Sequence, residues 1–354
     1  SVPPTSTPRS VERSYNPARH DADGRIALRV LIADKFEADG IAGLEALGCQ
    51  VFSEPELGPE TLPDALKRTE AEVLVVRSTK VPADVIEGAS TLKGIIRAGA
   101  GYDNIDFEAA KAKGVPVSNC PGMNAVAVAE LTIGHLIALD RRICEQDRSL
   151  REGQWNKAGF AKARGLKGRT LLVVGTGAIG TEVIKRAKAF EMKIMAQSRS
   201  LGDDTARALG IEPIPYTREA LVKALGQADA VTIHVASTPD TKSLCGPGFF
   251  AAMKPGAYFI NTSRGDIVDE TALQQAIESK GIRAALDVYQ DQPSAKTADW
   301  STPVAKAAGV VHFTHHCGAS TDQAQLAVAE ETVRIVKTAM ETGRFIHCVN
   351  GLGD

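Results

Sequence analysis

The stretch from Arg169 to Phe190, RTLLVVGTGAIGTEVIKRAKAF, decides the fold. It begins with an apolar run typical of a buried strand and ends with the apolar spacing of a helix. Between them lies a GxGxxG turn, in which the first glycine permits a tight turn, the second lets the backbone approach a pyrophosphate, and the third lets the helix pack on the strand. The turn therefore predicts a dinucleotide site, and its candidate residues are Gly175, Gly177, Ala178, Ile179 and Gly180.

The end of the next strand indicates which dinucleotide is bound. NAD sites usually carry an acidic residue about 20 positions after the glycines, where it holds the ribose 2′-hydroxyl. This chain has Ser198, Arg199 and Ser200 there instead. An arginine offers charge-assisted hydrogen bonds to a 2′-phosphate. We therefore expect NADP or NAD as cofactor, with NADP preferred; the alternative is a solvated arginine beside an unselective NAD site.

Short apolar runs alternate with helical segments on both sides of this stretch, which is typical of βαβ units around parallel sheets. A helical pattern from about Ala125 to Arg148 separates the two series. The fold class is therefore α/β, with two doubly wound parallel-sheet domains. The predicted strands are 28–34, 50–52, 73–76 and 94–97 in the first series, and 169–175, 193–197, 230–235, 257–261, 284–288 and 310–314 in the second.

The composition narrows the function classes. A chain of 354 residues suits two domains, and a net charge of −2 provides no basic field for nucleic acid. No apolar run approaches the roughly 20 residues of a membrane helix. The six cysteines form no CxxC pair, which favours reduced thiols and a cytoplasmic location, with an organelle as the alternative. Residues 1–24 are rich in Pro, Ser and Arg without an apolar stretch, so we expect a disordered tail and not a secretory signal.

Further segments resemble the signatures of the D-isomer-specific 2-hydroxyacid dehydrogenases. They are AGAGYDNID (98–106), NCPGMNAVAVAEL (119–131), MKPGAYFINTSRGDIVDETAL (253–273), AALDVYQDQP (284–293) and THHCGASTDQAQ (314–325). The resemblance implies a homodimer in which a Rossmann cofactor domain, residues 122–317, is inserted into a flavodoxin-like substrate domain, residues 25–121 and 318–354. Within the family, residues 73–81 and 95–106 look most like 3-phosphoglycerate dehydrogenases.

The same resemblance assigns roles to individual residues. Arg264 matches the arginine that grips the substrate carboxylate, and His316 matches the acid–base histidine. The remaining substrate-binding positions are Arg77 and Arg97 for a phosphate, the amides of Ala100 and Gly101 for the carboxylate, and Asn124. Positions that line the cofactor are His234, Thr241, Thr262, Ser263 and Asp287. No metal is expected, although His312, His315 and His316 lie close in sequence.

Gln292 departs from the family, which normally has glutamate before this proline to stabilise the imidazolium of the histidine. A neutral amide can orient the ring but cannot supply the charge. Glutamine here resembles the NAD-dependent formate dehydrogenases of the same superfamily, whose reaction requires no proton transfer from the enzyme. Three readings therefore stand: a D-2-hydroxyacid dehydrogenase, a formate dehydrogenase-like enzyme, or a dinucleotide-sensing binding protein with weakened catalysis.

Overall fold

The computed structural model describes residues 28–293 and 297–353, so the predicted disordered tail lies outside the described residues. The chain divides into two compact units. Of the described residues, the first unit comprises 28–97, Asp103–Ser118 and 333–353, and the second comprises Ala98–Tyr102 and those between Asn119 and Thr332. The sequence-based boundaries after residues 121 and 317 stay predictions, and residues 318–332 fall in the second unit.

The first unit is built on a five-stranded parallel sheet in the order β2-β1-β3-β4-β5. Its strands are β1 (Arg29–Ile32), β2 (Gln50–Ser53), β3 (Val73–Val76), β4 (Gly94–Arg97) and β5 (Val117–Asn119). Its helices are α1 (Ala38–Ala46), α2 (Leu62–Thr69), α3 (Ala83–Gly88) and α4 (Phe107–Ala112). The four residues of β3 are all buried, because the middle strand of a parallel sheet is covered on both faces.

The second unit is built on a seven-stranded parallel sheet. Its strands are β6 (Thr170–Val174), β7 (Lys193–Gln197), β8 (Glu212–Pro213), β9 (Ala230–Ile233), β10 (Tyr258–Asn261), β11 (Arg283–Leu286) and β12 (Val311–Phe313). The order β12-β11-β10-β9-β6-β7-β8 reverses direction at β6, which is the topological switch of a doubly wound sheet and the usual position of a ligand. The predicted fold class is thereby confirmed.

Helices cover both faces of this sheet. They are α5 (Ala125–Arg141), α6 (Ile143–Arg151), α7 (Lys157–Phe160), α8 (Ala178–Ala189), α9 (Asp203–Leu209), α10 (Arg218–Leu225), α11 (Pro247–Ala252) and α12 (Glu270–Lys280). The last helix, α13 (Asp322–Thr342), belongs to the second unit up to Thr332 and to the first unit from Val333 onward. The single helix predicted for 125–148 is two helices, because Arg142 takes the left-handed conformation with φ of 55° and ends α5. None of these helices is long and apolar enough to span a bilayer, within the described residues.

Candidate active site

The predicted site residues of the second unit follow the carboxyl ends of its strands. Gly175 comes directly after β6, His234 after β9, Thr262 after β10 and Asp287 after β11, and His316 lies three residues beyond the end of β12. In a parallel sheet these ends share one edge, which is where open α/β sheets bind ligands. The sequence motifs that lie up to 140 positions apart are therefore gathered at one edge of one sheet.

The glycine turn has the geometry that requires glycine. Gly175 has φ of 99°, and a Cβ there would lie 2.5 Å from the carbonyl oxygen of His234. A Cβ on Gly180 would lie 2.0 Å from the carbonyl oxygen of Gly175, so the helix packs against the turn only without a side chain. These two glycines are explained by contacts within the protein.

Gly177 is different, because a Cβ on it would meet no protein atom within 4 Å. It is the N-cap of α8, it provides no side-chain cap, and no acidic residue lies in the first turn of that helix. The orphan amides and positive dipole end of α8 thus face open space, as a pyrophosphate requires. Ala178 and Ile179 form the first turn of the same helix. The residues present fit a dinucleotide.

His234 adds a second feature that fits a ligand. Its Nε2 lies 2.9 Å from Thr232 Oγ1, whereas its Nδ1 is buried and has no hydrogen-bond partner among the described residues. Burial lowers the pKa of His234 to about 3, which keeps the ring neutral. A buried ring nitrogen without a partner costs free energy unless something outside the chain completes the contact.

The segment after β7 carries the residues predicted for a 2′-phosphate site. Gln197 is buried, and its amide donates to the carbonyls of Pro215 and Thr217 at 2.7 and 3.0 Å, so its side chain is committed to the protein. Arg199 and Ser200 are exposed, and the hydroxyls of Ser198 and Ser200 are 3.5 Å apart. Residues 197–200 contain no carboxylate.

The loop that carries Arg264 is fixed by Asn261, the last residue of β10, which is fully buried. Its side-chain amide donates to the carbonyl of Arg264 at 2.8 Å, and its side-chain oxygen accepts from the amide of Ser263 at 3.0 Å. The Ser263 hydroxyl donates to the carbonyl of Val235, after β9. Arg264 itself is half-buried, with its guanidinium donating to the Ser263 carbonyl at 2.8 Å. The backbone that presents the guanidinium is therefore held on both sides.

Gln292 contacts the ring of His316, with 2.6 Å between the amide Nε2 and Nδ1. The amide oxygen of Gln292 accepts from the Tyr289 backbone N–H at 3.2 Å, so the amide nitrogen is the atom that faces the histidine. An amide N–H donates only, so Nδ1 accepts, and the neutral ring carries its proton on Nε2. The pair predicted from sequence is thus formed, with a defined tautomer.

The loop of His316 is held by Asp287, whose side chain is buried. The carboxylate accepts from the amides of Cys317 and Gly318, both at 2.9 Å, while the His316 amide donates to the Asp287 carbonyl at 2.8 Å. His316 has φ of 50°, a left-handed conformation that is uncommon outside glycine. Strain of this kind persists where neighbouring contacts determine it, and it is frequent in active sites.

Gly265 joins the arginine loop to the segment that carries Gln292. A Cβ on Gly265 would lie 1.9 Å from the carbonyl carbon and oxygen of Tyr289. Arg264 and His316 therefore follow strands β10 and β12 on loops that are linked through the Tyr289–Gln292 segment. The structure brings these two predicted catalytic residues into one neighbourhood.

The hydroxyls of two predicted cofactor-binding residues already make hydrogen bonds within the protein. Thr241 donates to the carbonyl of Ala236 at 2.6 Å and so shapes the loop after β9. The Thr262 hydroxyl lies 3.0 Å from that of Thr132 on α5. Their contribution to a cofactor through the side-chain oxygens stays a prediction, since both serve the protein's own hydrogen bonding.

Asn124 and the loop of Ala100 and Gly101 also lie in the second unit. Asn124 is the N-cap of α5, yet its side chain makes no capping bond. Its Oδ1 is buried without a partner among the described residues, which suits a hydrogen bond to substrate better than a cap. The carbonyl of Ala100 accepts from the Asn119 amide at 2.6 Å, which anchors that loop.

The two arginines predicted for a substrate phosphate lie in the first unit, at the carboxyl ends of the adjacent strands β3 and β4. Arg97 ends β4 and pairs in register with Val76, the last residue of β3, so Arg77 follows one residue later on the adjacent strand. Both are half-buried. The turn of Arg77 is held by Asp34, which accepts from the amides of residues 77, 78 and 79 at 2.6 to 3.1 Å. Burial lowers the pKa of Arg77, and the charges of Asp34 and Glu37 oppose that shift.

The three neighbouring histidines have separate environments. His312 is buried, with its Nε2 3.0 Å from Glu145 Oε2, whereas His315 and His316 are exposed. No group of three metal-ligating side chains is arranged around an ion within residues 28–293 and 297–353. Sequence reasoning missed the supporting residues Asn261, Glu270, Tyr289 and Thr314, of which Glu270 accepts from the backbone amide of Gln290 at 2.7 Å. Their signal in the sequence is a polar residue close to the end of a buried strand or to the start of a helix.

The chain is similar to known dehydrogenases in both sequence and fold. The chain spans about half the length of the curated relatives it matches: it is 40% identical over 316 residues to the D-3-phosphoglycerate dehydrogenase of Methanocaldococcus jannaschii, covering 88% of this chain and 58% of that protein. A glyoxylate reductase from Paecilomyes thermophila has a TM-score of 0.79 at 26% identity, covering 91% of this chain and 98% of the other. A D-lactate dehydrogenase from Aquifex aeolicus, complexed with NAD and lactic acid, has a TM-score of 0.75 at 25% identity, covering 90% and 98%.

A family model provides the assignment. The model described as the NAD-binding domain of D-isomer specific 2-hydroxyacid dehydrogenases matches residues 133–318, which include the glycine turn, Arg264 and His316. The match covers more than half of the chain. The chain belongs to the D-isomer specific 2-hydroxyacid dehydrogenase family.

Proposed function

We propose that this protein is an NAD(P)-linked oxidoreductase that interconverts a D-2-hydroxyacid and its 2-ketoacid, with an activity like that of the 3-phosphoglycerate dehydrogenases. The observation that carries the proposal is the contact of Gln292 with His316 on loops linked to that of Arg264. A bound nicotinamide would supply or accept the hydride. Gly175, Gly177 and Gly180 would hold its pyrophosphate.

Arg264 would bind the carboxylate and polarise the neighbouring carbonyl. A guanidinium presents a planar fork of donors that matches a carboxylate, and its charge stabilises negative charge developing on the substrate oxygen. Asn261 and Ser263 hold its backbone, so little reorganisation is needed on binding. Asn124, with its unpartnered Oδ1, would accept a hydrogen bond from the substrate.

His316 would present Nε2–H to the substrate oxygen. Reduction of a ketone also requires a proton, which an imidazolium gives more readily than a neutral ring. The imidazolium would place Nδ1–H against the Gln292 amide nitrogen, so this amide must turn over and release the Tyr289 N–H. We therefore propose that ketoacid reduction by this chain is limited by the supply of the imidazolium form.

A second candidate is oxidation of a donor that releases no proton to the enzyme, such as formate. The neutral Nε2–H tautomer favours it, because that form donates a hydrogen bond to a bound carboxylate without acting as an acid. The neighbouring arginines of the first unit favour the hydroxyacid instead, because they suit a phosphorylated substrate and formate has no group for them.

The substrate class and cofactor follow from charge. Arg77 and Arg97 at one sheet edge suit a phosphate, and the relatives quoted above include a D-3-phosphoglycerate dehydrogenase. Arg199 with two serines suits a 2′-phosphate, so we propose that NADP is preferred over NAD. The first unit would then serve as the substrate domain and the second as the cofactor domain.

We further propose a homodimer. Three large apolar side chains in and just after α6 are strongly exposed: Ile143 at 48%, Leu150 at 57% and Trp155 at 80%. Apolar surface of this kind is commonly covered by a partner. Light scattering of the wild type and Trp155→Glu tests this: a dimer mass that falls to a monomer mass supports it, and a monomeric wild type contradicts it.

The function is tested by assaying both directions with both cofactors. We expect oxidation of NADPH, more than NADH, with 3-phosphohydroxypyruvate or hydroxypyruvate, and loss of turnover in Arg264→Gln. Formate-dependent reduction of the cofactor without ketoacid reduction would select the second candidate. Binding of nucleotide without turnover of any of these compounds would contradict both candidates.

A further inference from the structure

A buried polar chain lies beneath the His316 loop, and no step of the proposed reaction uses it. It begins at His135 on α5, which is only 5% exposed. The Nε2 of His135 lies 3.2 Å from the hydroxyl oxygen of Thr314, and that hydroxyl donates to Asp287 Oδ1 at 2.6 Å. Burying a polar ring costs free energy unless its hydrogen bonds are made, so the contact with Thr314 explains why a histidine is accommodated here.

The direction of these hydrogen bonds is fixed by the donors available. Burial lowers the pKa of His135 to about 4, although the charge of Asp287 opposes the shift. The ring is therefore neutral near pH 7 and has a single N–H. The Thr314 hydroxyl gives its one proton to the carboxylate, so its oxygen accepts from His135. The chain consequently runs from His135 through Thr314 to Asp287.

Asp287 in turn holds the loop of His316 through hydrogen bonds. Its two carboxylate oxygens accept from the amides of Cys317 and Gly318, the two residues after His316. The space is tight, since a Cβ on Gly318 would lie 3.0 Å from Asp287 Oδ2. A carboxylate that rotates away would release both amides, and His316 would then leave its left-handed conformation for a less strained one.

We propose that His135 is a positioning residue for His316: its hydrogen bond to Thr314 fixes the Asp287 carboxylate, which holds the loop that presents the imidazole. The catalytic part of this inference rests on the proposed function. The structural part, that His135 orders the loop, does not depend on the proposed function.

The test compares His135→Leu, which removes the donor, with His135→Gln, whose amide can donate from nearly the same place. The matched control is Leu136→Ala, because Leu136 is fully buried on the same helix and belongs to its apolar core. Hydrogen exchange of the peptide spanning residues 314–320 is measured by mass spectrometry without cofactor, together with kcat, KM and cofactor affinity.

We expect exchange in the peptide that contains Cys317 and Gly318 to be about tenfold faster in His135→Leu, with kcat about tenfold lower. His135→Gln should restore both readouts. Thr314→Val should match the leucine variant, and the double variant should show no further loss, because the residues act in one chain.

Unchanged exchange in both His135→Leu and Thr314→Val would overturn the inference. So would equal acceleration in Leu136→Ala, since the effect would then come from general destabilisation. If the wild type turns over none of the substrates, the proposed function fails, and the exchange comparison still decides whether His135 orders the loop.

Discussion

Replacing Gln292 by glutamate should speed ketoacid reduction. A carboxylate in this place can accept from Tyr289 N–H with one oxygen and from His316 Nδ1–H with the other, whereas the amide has only one acceptor. The amide nitrogen and Nδ1 are 2.6 Å apart, so the new charge would lie about 3 Å from the ring. At that distance the attraction is about 1.4 kcal/mol even with the dielectric constant of water.

This energy corresponds to about tenfold more imidazolium relative to neutral imidazole in the variant. Since proton donation is proposed to limit the wild type, kcat for 3-phosphohydroxypyruvate reduction should rise several-fold on the alkaline side of neutrality. The pH profile of kcat should shift to higher pH. The assay is cofactor oxidation followed across the pH range at saturating substrate.

The matched control is Gln290→Glu, which adds the same charge two residues away on an exposed side chain. The reasoning would be refuted if Gln292→Glu reduced ketoacids no faster than the wild type at any pH. It would also be refuted if the control variant gained as much, since the effect would then be one of net charge.

Three further predictions concern the cofactor, the loop packing and the stability. Ser198→Asp should invert the cofactor preference by at least tenfold in kcat/KM, because a carboxylate repels a 2′-phosphate and binds the 2′-hydroxyl; an unchanged ratio of NADPH to NADH would contradict the site. Gly265→Ala should lower both Tm and kcat, because the added Cβ would overlap the Tyr289 backbone. The control is Gly248→Ala in α11, which should leave both unchanged because a Cβ there would meet no atom within 4 Å. Equal effects of the two substitutions would contradict the contact between Gly265 and Tyr289. The free energy of unfolding should fall as the pH drops from about 6.5 toward 4, because the unfolded chain binds a proton on His135 that the folded chain, with a pKa of about 4 for this ring, does not bind. The loss amounts to at most about 3 kcal/mol. The urea midpoint of His135→Gln should therefore depend less on pH than that of the wild type. Parallel pH curves for that variant and the wild type would count against the burial argument.

Much of the fold is readable in the sequence, because buried strands are apolar runs and the glycine turn carries its own steric reasons. The strands from β6 to β12 that carry the site were found this way, apart from β8, which has only two exposed residues. The break at Arg142 was not predicted, since a left-handed arginine has no sequence signal comparable to glycine.

For the site, the sequence predicted several of the residues but not the contacts between them. The motif residues Arg264, Gln292 and His316 were identified from resemblance, but the tautomer depends on which amide atom faces the ring, and that follows from the Tyr289 N–H. Likewise, nothing in the order of residues indicates that His135 on α5 reaches Thr314 after β12. Contacts between distant segments are set by packing, which short-range patterns do not encode.

The most direct measurement is the fate of a deuterium label. Reduced cofactor in which both hydrogens at C4 of the nicotinamide are deuterium is mixed with the protein and 3-phosphohydroxypyruvate or hydroxypyruvate, and the product is analysed by mass spectrometry. The account predicts one deuterium at C2 of the D-hydroxyacid, and none when Arg264→Gln replaces the wild type. Oxidised cofactor without label in the product, or no product with either reduced cofactor, would contradict it.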